Sequence, residues 1–493
     1  MAKRLRRSSK RLRHRPKKSQ KKYGILNGFK YLILAVIIAF IGYIISWNSH
    51  VKTLTAKEAA ALPYSTPLVK KEKVPKEYSK VSSLLRSSER LEWFIKTKSR
   101  ISDHRLHDLV IVLKNKNGSP IDRQKVHITL DKHEFHHGGV MNIWQFSGER
   151  KTGKPYIDPT IYKEKFLELF NAGGFNNAFK FKLQRNHASL LPQAINWYEQ
   201  KGIHLRGHTL IWPGERHLPK EILGVLDNNE LLRQKSCNMV RNWAKKWQIK
   251  EWDVINEPRA NHLIQDKLGK NIEVDWFKIA KEASAYKDVK LYLNDYQIVS
   301  GTKDQFKDIY EENVQMLLDR GAPLNGLGVQ SRFKFDRSPK QIHDALDRLA
   351  KFNLPIKGTE FEVVDLKRKL TDQQRAKITL EVASSYFGHP HVNGLYVWTI
   401  FQSSHDAIVN GKPSWGHSSF MIEKDGSLKP NGLVWKYLFK HLWSIDSPYM
   451  TDIYGAVKIR AYRGDYSIKL LQHGKTITRQ FKVTKNNLIE ITL

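Results

Sequence analysis

The chain has 493 residues, 40% of them hydrophobic and 11% aromatic, enough for a large core and too many for a chain disordered throughout. Its formal net charge is +36, of which residues 1–30 supply +13 and the rest +23, so the excess points to an anionic neighbour: a membrane surface, an acidic polymer or nucleic acid. One cysteine, Cys237, excludes an intrachain disulfide.

Residues 1–30 begin MAKRLRRSSKRLRHRPKKSQKK and read as a disordered, basic cytoplasmic tail. Residues 31–47, YLILAVIIAFIGYIISW, carry no formal charge. With Gly24 to Phe29 they approach the roughly 20 residues that cross a bilayer. Tyr31, Tyr43 and Trp47 lie toward the ends, as interfacial aromatics do. The basic flank puts the N-terminus in the cytoplasm and everything after Trp47 outside, a single-pass signal-anchor. A cleaved signal peptide is the rival reading, but the nearest small-residue site, Ala59-Ala60-Ala61, lies well past the apolar run. A basic block suits nucleic acid in isolation. Joined to a spanning segment it makes anionic lipid headgroups the expected partner, and no nucleic acid is expected. Residues 48–85 are rich in Lys, Pro and Ser and read as a stalk.

Residues 86–137 are expected to hold a helix and strands. DLVIVLKNKNGSPIDRQKVHITLD, 108–131, gives two alternating strands around an Asn-Gly turn. His133, His136 and His137 in KHEFHHGG have no Cys or carboxylate partners at ligand spacing, so no metal is expected. Glycine-rich phosphate loops are absent, and no cofactor is implied.

Over 138–445, apolar runs alternate with helical patterns. The runs are GGVMNIW, FNNAFKF, HLRGHTLIW, EWDVINEP, KLYLND, GLGVQSRF, PIKGTEFEV and GLYVWTI. The intervening helices are expected at 159–170, 190–201, 228–247, 275–287, 302–320, 338–352 and 371–387, with a last one near 431–443. Eight strand–helix units over such a length predict an α/β fold, a (β/α)8 TIM barrel, whose chemistry sits at the carboxyl ends of the strands. Glu257 ends the fourth run and Glu360 the seventh. Two carboxylates across a barrel mouth are the minimal equipment for glycoside hydrolysis: one kept protonated as acid, one ionised as nucleophile. After the barrel, 446–493 contains four more alternating stretches, VKIRAY, DYSIKLL, TRQFKV and LIEITL. With the two before the barrel these are expected to form a small β-sandwich beneath it. It reads as a structural plug; a carbohydrate-binding module is the functional alternative.

WDVINEP (252–258), RGHTLIWPGERHLP (206–219), LYLNDY (291–296), GLGVQS (326–331) and GTEFEV (358–363) resemble, in order, the motifs of glycoside hydrolase family 10, the β-1,4-xylanase family. The resemblance covers about residues 100 to 445. It implies that Glu257 is the acid/base and Glu360 the nucleophile of a retaining double displacement. It implies that Asn256 bonds the sugar 2-hydroxyl, that His208, Gln330 and Tyr296 bind the sugar, and that Trp212 and Trp398 wall the subsite. Family members carry a Glu-Asn pair followed by a Lys-Trp after the second strand. Here FKFKLQRNH (179–187) is taken as the aligned stretch, with Lys180, Lys182 and Arg185 in place of that pattern. Arg332 stands where the family has a His that contacts the nucleophile. Pro213 and Glu215 replace a His and a Gln after Trp212. Lys180, Lys182, Arg185 and Arg332 are together expected to suit an acidic glycan. The expected activity is that of a membrane-anchored retaining endo-β-glycosidase acting on a polysaccharide. The alternative is a catalytically silent glycan-binding protein on the same barrel.

Overall fold

The computed structural model describes residues 36–37, 54–149, 156–183, 189–334, 336–365, 369–402, 408–409, 412–413, 419–472, 474–485 and 487–493. The expected span 31–47 lies outside these residues except for Val36 and Ile37, which are helical and exposed. No helix among the described residues is long and apolar enough to cross a membrane.

Eight parallel strands close into a barrel: His136–Met141, Ala172–Phe175, His204–Ile211, Glu251–Asn256, Lys290–Tyr296, Gly326–Gln330, Ile356–Val363 and Val392–Val397. The last pairs with both the first and the seventh, which closes the ring. Seven of the strands fall on the expected runs. The second lies earlier than expected, because FNNAFKF supplies only its last residue, Phe175. The strand itself is Ala172-Gly173-Gly174-Phe175, with no β-branched residue to betray it. Its glycines answer to packing: a Cβ on Gly173 would meet the Tyr198 hydroxyl at 2.5 Å and Phe166 at 2.7 Å.

Gly207, in the third strand, is held to the same standard. An added Cβ would stand 2.2 Å from the Trp252 ring of the neighbouring strand. Trp252 is fully buried and cannot swing away. Gly207→Ala is therefore expected to lower the unfolding free energy by about 1–3 kcal/mol, measured by urea denaturation.

The helices follow the expected pattern with small shifts, the largest being Asn271–Ala283 against an expected 275–287. Asn229–Lys246 shows why they form: Asn228 caps the first turn by accepting from the Leu231 N–H at 3.0 Å. One face of it then buries Leu232, Met239, Val240 and Trp243.

The flanking strands build two sheets. Leu106–Lys114 lies between Ala456–Tyr462 and Asn487–Thr492. Lys125–His133 lies between Asp446–Met450 and Gly464–Gln472, with Lys475–Val483 at the edge. Asp446–Met450 is a strand beyond the six expected. Leu109, Ile111, Val126, Ile128, Tyr466 and Ile468 join these sheets to the barrel in one continuous apolar core.

The stretch read as a stalk is instead packed from Leu54 onward. Thr55 and Glu58 cap a short helix, Ala56–Ala61, reciprocally. Ala59 of that helix covers Val110, Val112 and Ala456 on the outer face of the three-stranded sheet. Farther on, the Ser65 N–H donates to the Lys458 carbonyl at 2.7 Å. Pro and Lys here mark a chain lying along strands, not a free linker.

Candidate active site

Asn256 is the last residue of the fourth strand, and the backbone turns left-handed at Glu257, with φ of 53°. A non-glycine residue in that region is strained and needs support. The Glu257 N–H finds it in the Asn294 carbonyl of the fifth strand, at 2.7 Å. The turn brings the carboxylate into a cleft of about 1100 Å³ at the carboxyl ends of the strands.

Glu257 accepts from Gln330 Nε2 at 2.7 Å and from Asn261 Nδ2 at 3.2 Å. Burial, reinforced by the nearby Glu360 charge, pushes its carboxyl above the usual range, against the pull of Gln330, His208 and Arg332. Glu360 lines the same cleft. Burial alone would raise it too, but Arg332, His208 and Lys180 outweigh burial and hold it below the usual range. Arg332 donates to Glu360 Oε2 through Nε at 3.0 Å and Nη2 at 2.8 Å. The other oxygen, Oε1, accepts from Asn294 Nδ2 at 3.3 Å and lies 4.0 Å from His208 Nε2. Two acids of opposite protonation bias thus share one cleft.

The remaining expected residues separate into two groups. Asn256, His208, Trp212, Tyr296, Gln330, Arg332 and Trp398 all line the cleft. His208 is oriented by Asp253, which faces its Nδ1 at 2.8 Å, and its ring meets Trp398 edge-on at 5.4 Å. Asn256 Oδ1 accepts from Asn294 Nδ2 at 2.8 Å, while its own Nδ2 is buried without a partner. A buried donor of that kind needs an acceptor, and a sugar hydroxyl would supply one. The Trp212 Nε1 is likewise buried and unpartnered.

Lys182 is the exception: it is exposed, does not line the cleft and donates to the Arg216 carbonyl at 2.5 Å. Arg185 lies outside the described residues. The four cations expected to grip an acidic glycan are therefore not gathered. Arg332 is divided between Glu360 and Glu362, bonding Glu362 at 2.5 Å. Of those four only Lys180 and Arg332 reach the cleft, where Arg216 and Lys334 also line the wall. The ammonium of Lys180 sits 4.9 Å from the Trp212 ring and donates to Asn177 at 2.9 Å. Burial lowers its pKa to about 8.

Asn176 and Asn177 line the cleft beside it. This revises the alignment. Asn176-Asn177 followed by Lys180-Phe181 stands in the order of the family's Glu-Asn and Lys-Trp, so Lys180 is retained and not intrusive. Starting the second strand three residues too late, at Phe175 and not Ala172, concealed this register. Asn294 and Glu362 also escaped the sequence reading. Asn294 ties Asn256 to Glu360, and its Oδ1 accepts from Thr359 at 2.7 Å. Its position two residues after the inward-facing Tyr292 was the available signal. At the opposite end of the barrel, His136 and His204 approach Glu251, but Arg206 and Lys357 already neutralise that carboxylate, so the trio does not fit a cation.

A family model described as glycosyl hydrolase family 10 matches residues 158–416. Endo-1,4-beta-xylanase 1 of Arabidopsis thaliana is 26% identical over 351 residues, 68% of this chain and 34% of that protein. The anti-sigma-I factor RsgI6 of Acetivibrio thermocellus is 23% identical over 394 residues, 78% of this chain and 47% of that one. The chain thus spans a third to a half of the length of these curated relatives. Among solved structures, native xylanase 10B from Thermotoga maritima superposes with a TM-score of 0.53 at 20% identity, over 62% of this chain and 95% of that one, a likeness of fold.

Proposed function

The chain belongs to glycosyl hydrolase family 10, and on that premise we propose that it is a retaining endo-β-glycosidase that cleaves β-1,4-linked polysaccharide of the xylan type. The observation that carries this reading is the opposite bias of Glu257 and Glu360 within one cleft. In the first step Glu360 Oε1, the oxygen not held by Arg332, attacks the anomeric carbon. Glu257 gives its proton to the departing glycosidic oxygen. In the second step Glu257, now ionised, takes a proton from water, whose oxygen displaces Glu360 and regenerates the free enzyme. Asn256 and His208 are placed to bond sugar hydroxyls, and Trp398 offers an apolar wall. Arg332 is spent on two glutamates and Lys180 bonds Asn177, so we take a neutral main chain, as the xylanase relatives suggest, over a uronate polymer. Digestion of a glycan panel with product masses tests this; higher turnover on uronate-rich polymers than on neutral xylan would reverse the preference.

The pH dependence follows from the two carboxyls. Glu360 must be ionised and its pKa is held low, so kcat/KM rises on the acid side below the usual carboxylate range. Glu257 must be protonated and its pKa is raised, so the alkaline limb lies above that range. Glu257→Gln is expected to abolish the alkaline limb and cut turnover by about 10²–10⁴-fold on natural substrates. Aryl glycosides, whose leaving groups need no proton, should keep most of their first-step rate. An equal loss on both substrate types would show that Glu257 is not the acid.

The same proposal places the barrel outside a membrane, tethered by residues 31–47. The support is the uncharged run and its basic flank. Deleting residues 1–47 should release the chain from the membrane fraction.

The silent alternative rests on Arg332: a nucleophile held by two guanidinium bonds is a weaker base. A mechanism-based glycosyl trap that labels Glu360 favours the enzyme.

A further inference from the structure

We infer that the end of the β-sandwich farthest from the barrel is a membrane-contact face, seating an apolar tip in the headgroup layer of an anionic bilayer, so that the catalytic cleft opens away from the membrane. The inference rests on the tether proposed above.

The sandwich has two ends. One meets the floor of the barrel, where Arg463 and Lys482 share a cavity with His136, His204 and Glu251. The other is formed by the loop from Lys114 to Lys125, the turn from Met450 to Ala456, and the end of Gly464–Gln472. These are neighbours. Arg123 N–H donates to the Thr451 carbonyl at 3.2 Å, Leu113 N–H to the Gly455 carbonyl at 2.9 Å, and Gln124 Nε2 to the Leu471 carbonyl at 3.4 Å.

Large apolar side chains stand in solvent at this end. Ile453 is 66% exposed, Leu471 63%, Tyr454 46% and Met450 41%. The turn that carries Ile453 and Tyr454 is not slack. Asp452 Oδ1 accepts from the Tyr454 N–H at 2.8 Å and the Ala456 N–H at 2.9 Å. It closes over Gly455, whose φ is 69° and where a Cβ would meet the Leu113 carbonyl at 2.6 Å. A turn so fixed holds two apolar side chains outward at no further ordering cost. Around them Lys116, Arg123, Lys125 and Lys475 are exposed, against one exposed carboxylate, Asp122, in the same loop. Apolar tips ringed by cations suit the boundary between acyl chains and anionic headgroups.

The course of the chain chooses this occupant over a soluble protein. Leu54 packs against the cluster of Ala59, Val110, Val112 and Ala456, and Val112 and Ala456 lie toward this same end. From there the chain runs toward the barrel, with Tyr64 donating to Asp108 at 2.8 Å and Ser65 to Lys458. Only residues 48–53 separate Leu54 from the uncharged run, so a tether emerges beside the exposed tip. The cleft, at the carboxyl ends of the barrel strands, then faces a polymer beyond the membrane.

The test uses the full chain in vesicles containing phosphatidylglycerol. In a Cys237→Ser background, an environment-sensitive fluorophore is placed on Ile453→Cys, or on Lys220→Cys, the first residue of a short helix, Lys220–Leu223, after the third strand. Label at 453 should shift to the blue and be quenched by doxyl lipids, and label at 220 should do neither. Ile453 label that stays water-like while the chain resists carbonate extraction overturns the contact face and leaves the tether standing. A chain extracted by carbonate overturns the tether; quenching at 453 that persists on added vesicles and is lost in high salt would still support the face. Changing Lys116, Arg123 and Lys125 to Glu should abolish the quenching, and unchanged quenching would refute the role of charge.

Discussion

Glu360→Ala is expected to lose turnover on the order of 10⁴-fold while staying folded. The fold survives because Arg332 keeps a second carboxylate, Glu362, when Glu360 is removed. The loss is large because the buried carboxyls that remain are unsuited: Glu257 is biased toward its acid form, and Glu362 is engaged by Arg332 and Thr399. Azide should restore part of the rate by occupying the vacated space and attacking the anomeric carbon from the same side, with the leaving group departing as before. The glycosyl azide formed would then carry the configuration opposite to the wild-type product. Rescue with that stereochemistry identifies Glu360 as nucleophile. Undiminished activity in the variant would move the nucleophile elsewhere, and a wild type already inert would leave the barrel as a glycan binder.

Glu257 was legible because it directly follows the end of the fourth strand, and Glu360 because it lies near the carboxyl end of the seventh, three residues before Val363. What the sequence concealed has a common cause. The barrel interior is not the apolar filling that the runs suggest. His204, Arg206 and His208 alternate along the third strand, Glu251 and Asp253 along the fourth, and Lys357 sits on the seventh. Arg206 binds Glu251 at 2.9 Å, and Lys357 reaches the same carboxylate at 2.6 Å. Each charge looks like a surface residue until its partner on another strand, adjacent for Arg206 and across the barrel for Lys357, is known. Pairing across strands is a three-dimensional fact. The second strand is hidden for the opposite reason: Ala-Gly-Gly-Phe carries almost no side-chain signal, Gly173 making room for Tyr198 and Phe166 and Gly174 lying against the Arg206 carbonyl. That slip displaced the alignment and turned Lys180 into an apparent novelty. The tail-to-barrel segment 54–85 was misread because composition cannot tell a linker from a strap lying on a sheet.

Arg332→Met carries the second large effect, because it strikes stability and chemistry through one guanidinium. Arg332 is the charge shared by Glu360 and Glu362, both buried. Without it two carboxylates face each other with Thr399 and Asn294 as their remaining neutral donors. Leaving buried charges unpaired costs about 3–5 kcal/mol. The sign with pH is fixed by Glu360. Its folded pKa is depressed, so its contribution is present above the unfolded value and lost as pH falls through the folded one. The gap between wild type and variant in urea denaturation should therefore be widest near neutrality and narrow in acid. In catalysis the same loss lets the Glu360 pKa climb, and the acid limb of kcat/KM should move up by about 1–3 pH units. Arg332→Lys keeps the charge without the fork that spans Glu360 and Glu362, so its limb should fall between the two. A limb that stays in place would mean His208 and Lys180 suffice to ionise the nucleophile. A rise in kcat on losing Arg332 would mean that the clamp restrains attack, which is what a barrel kept for binding would show.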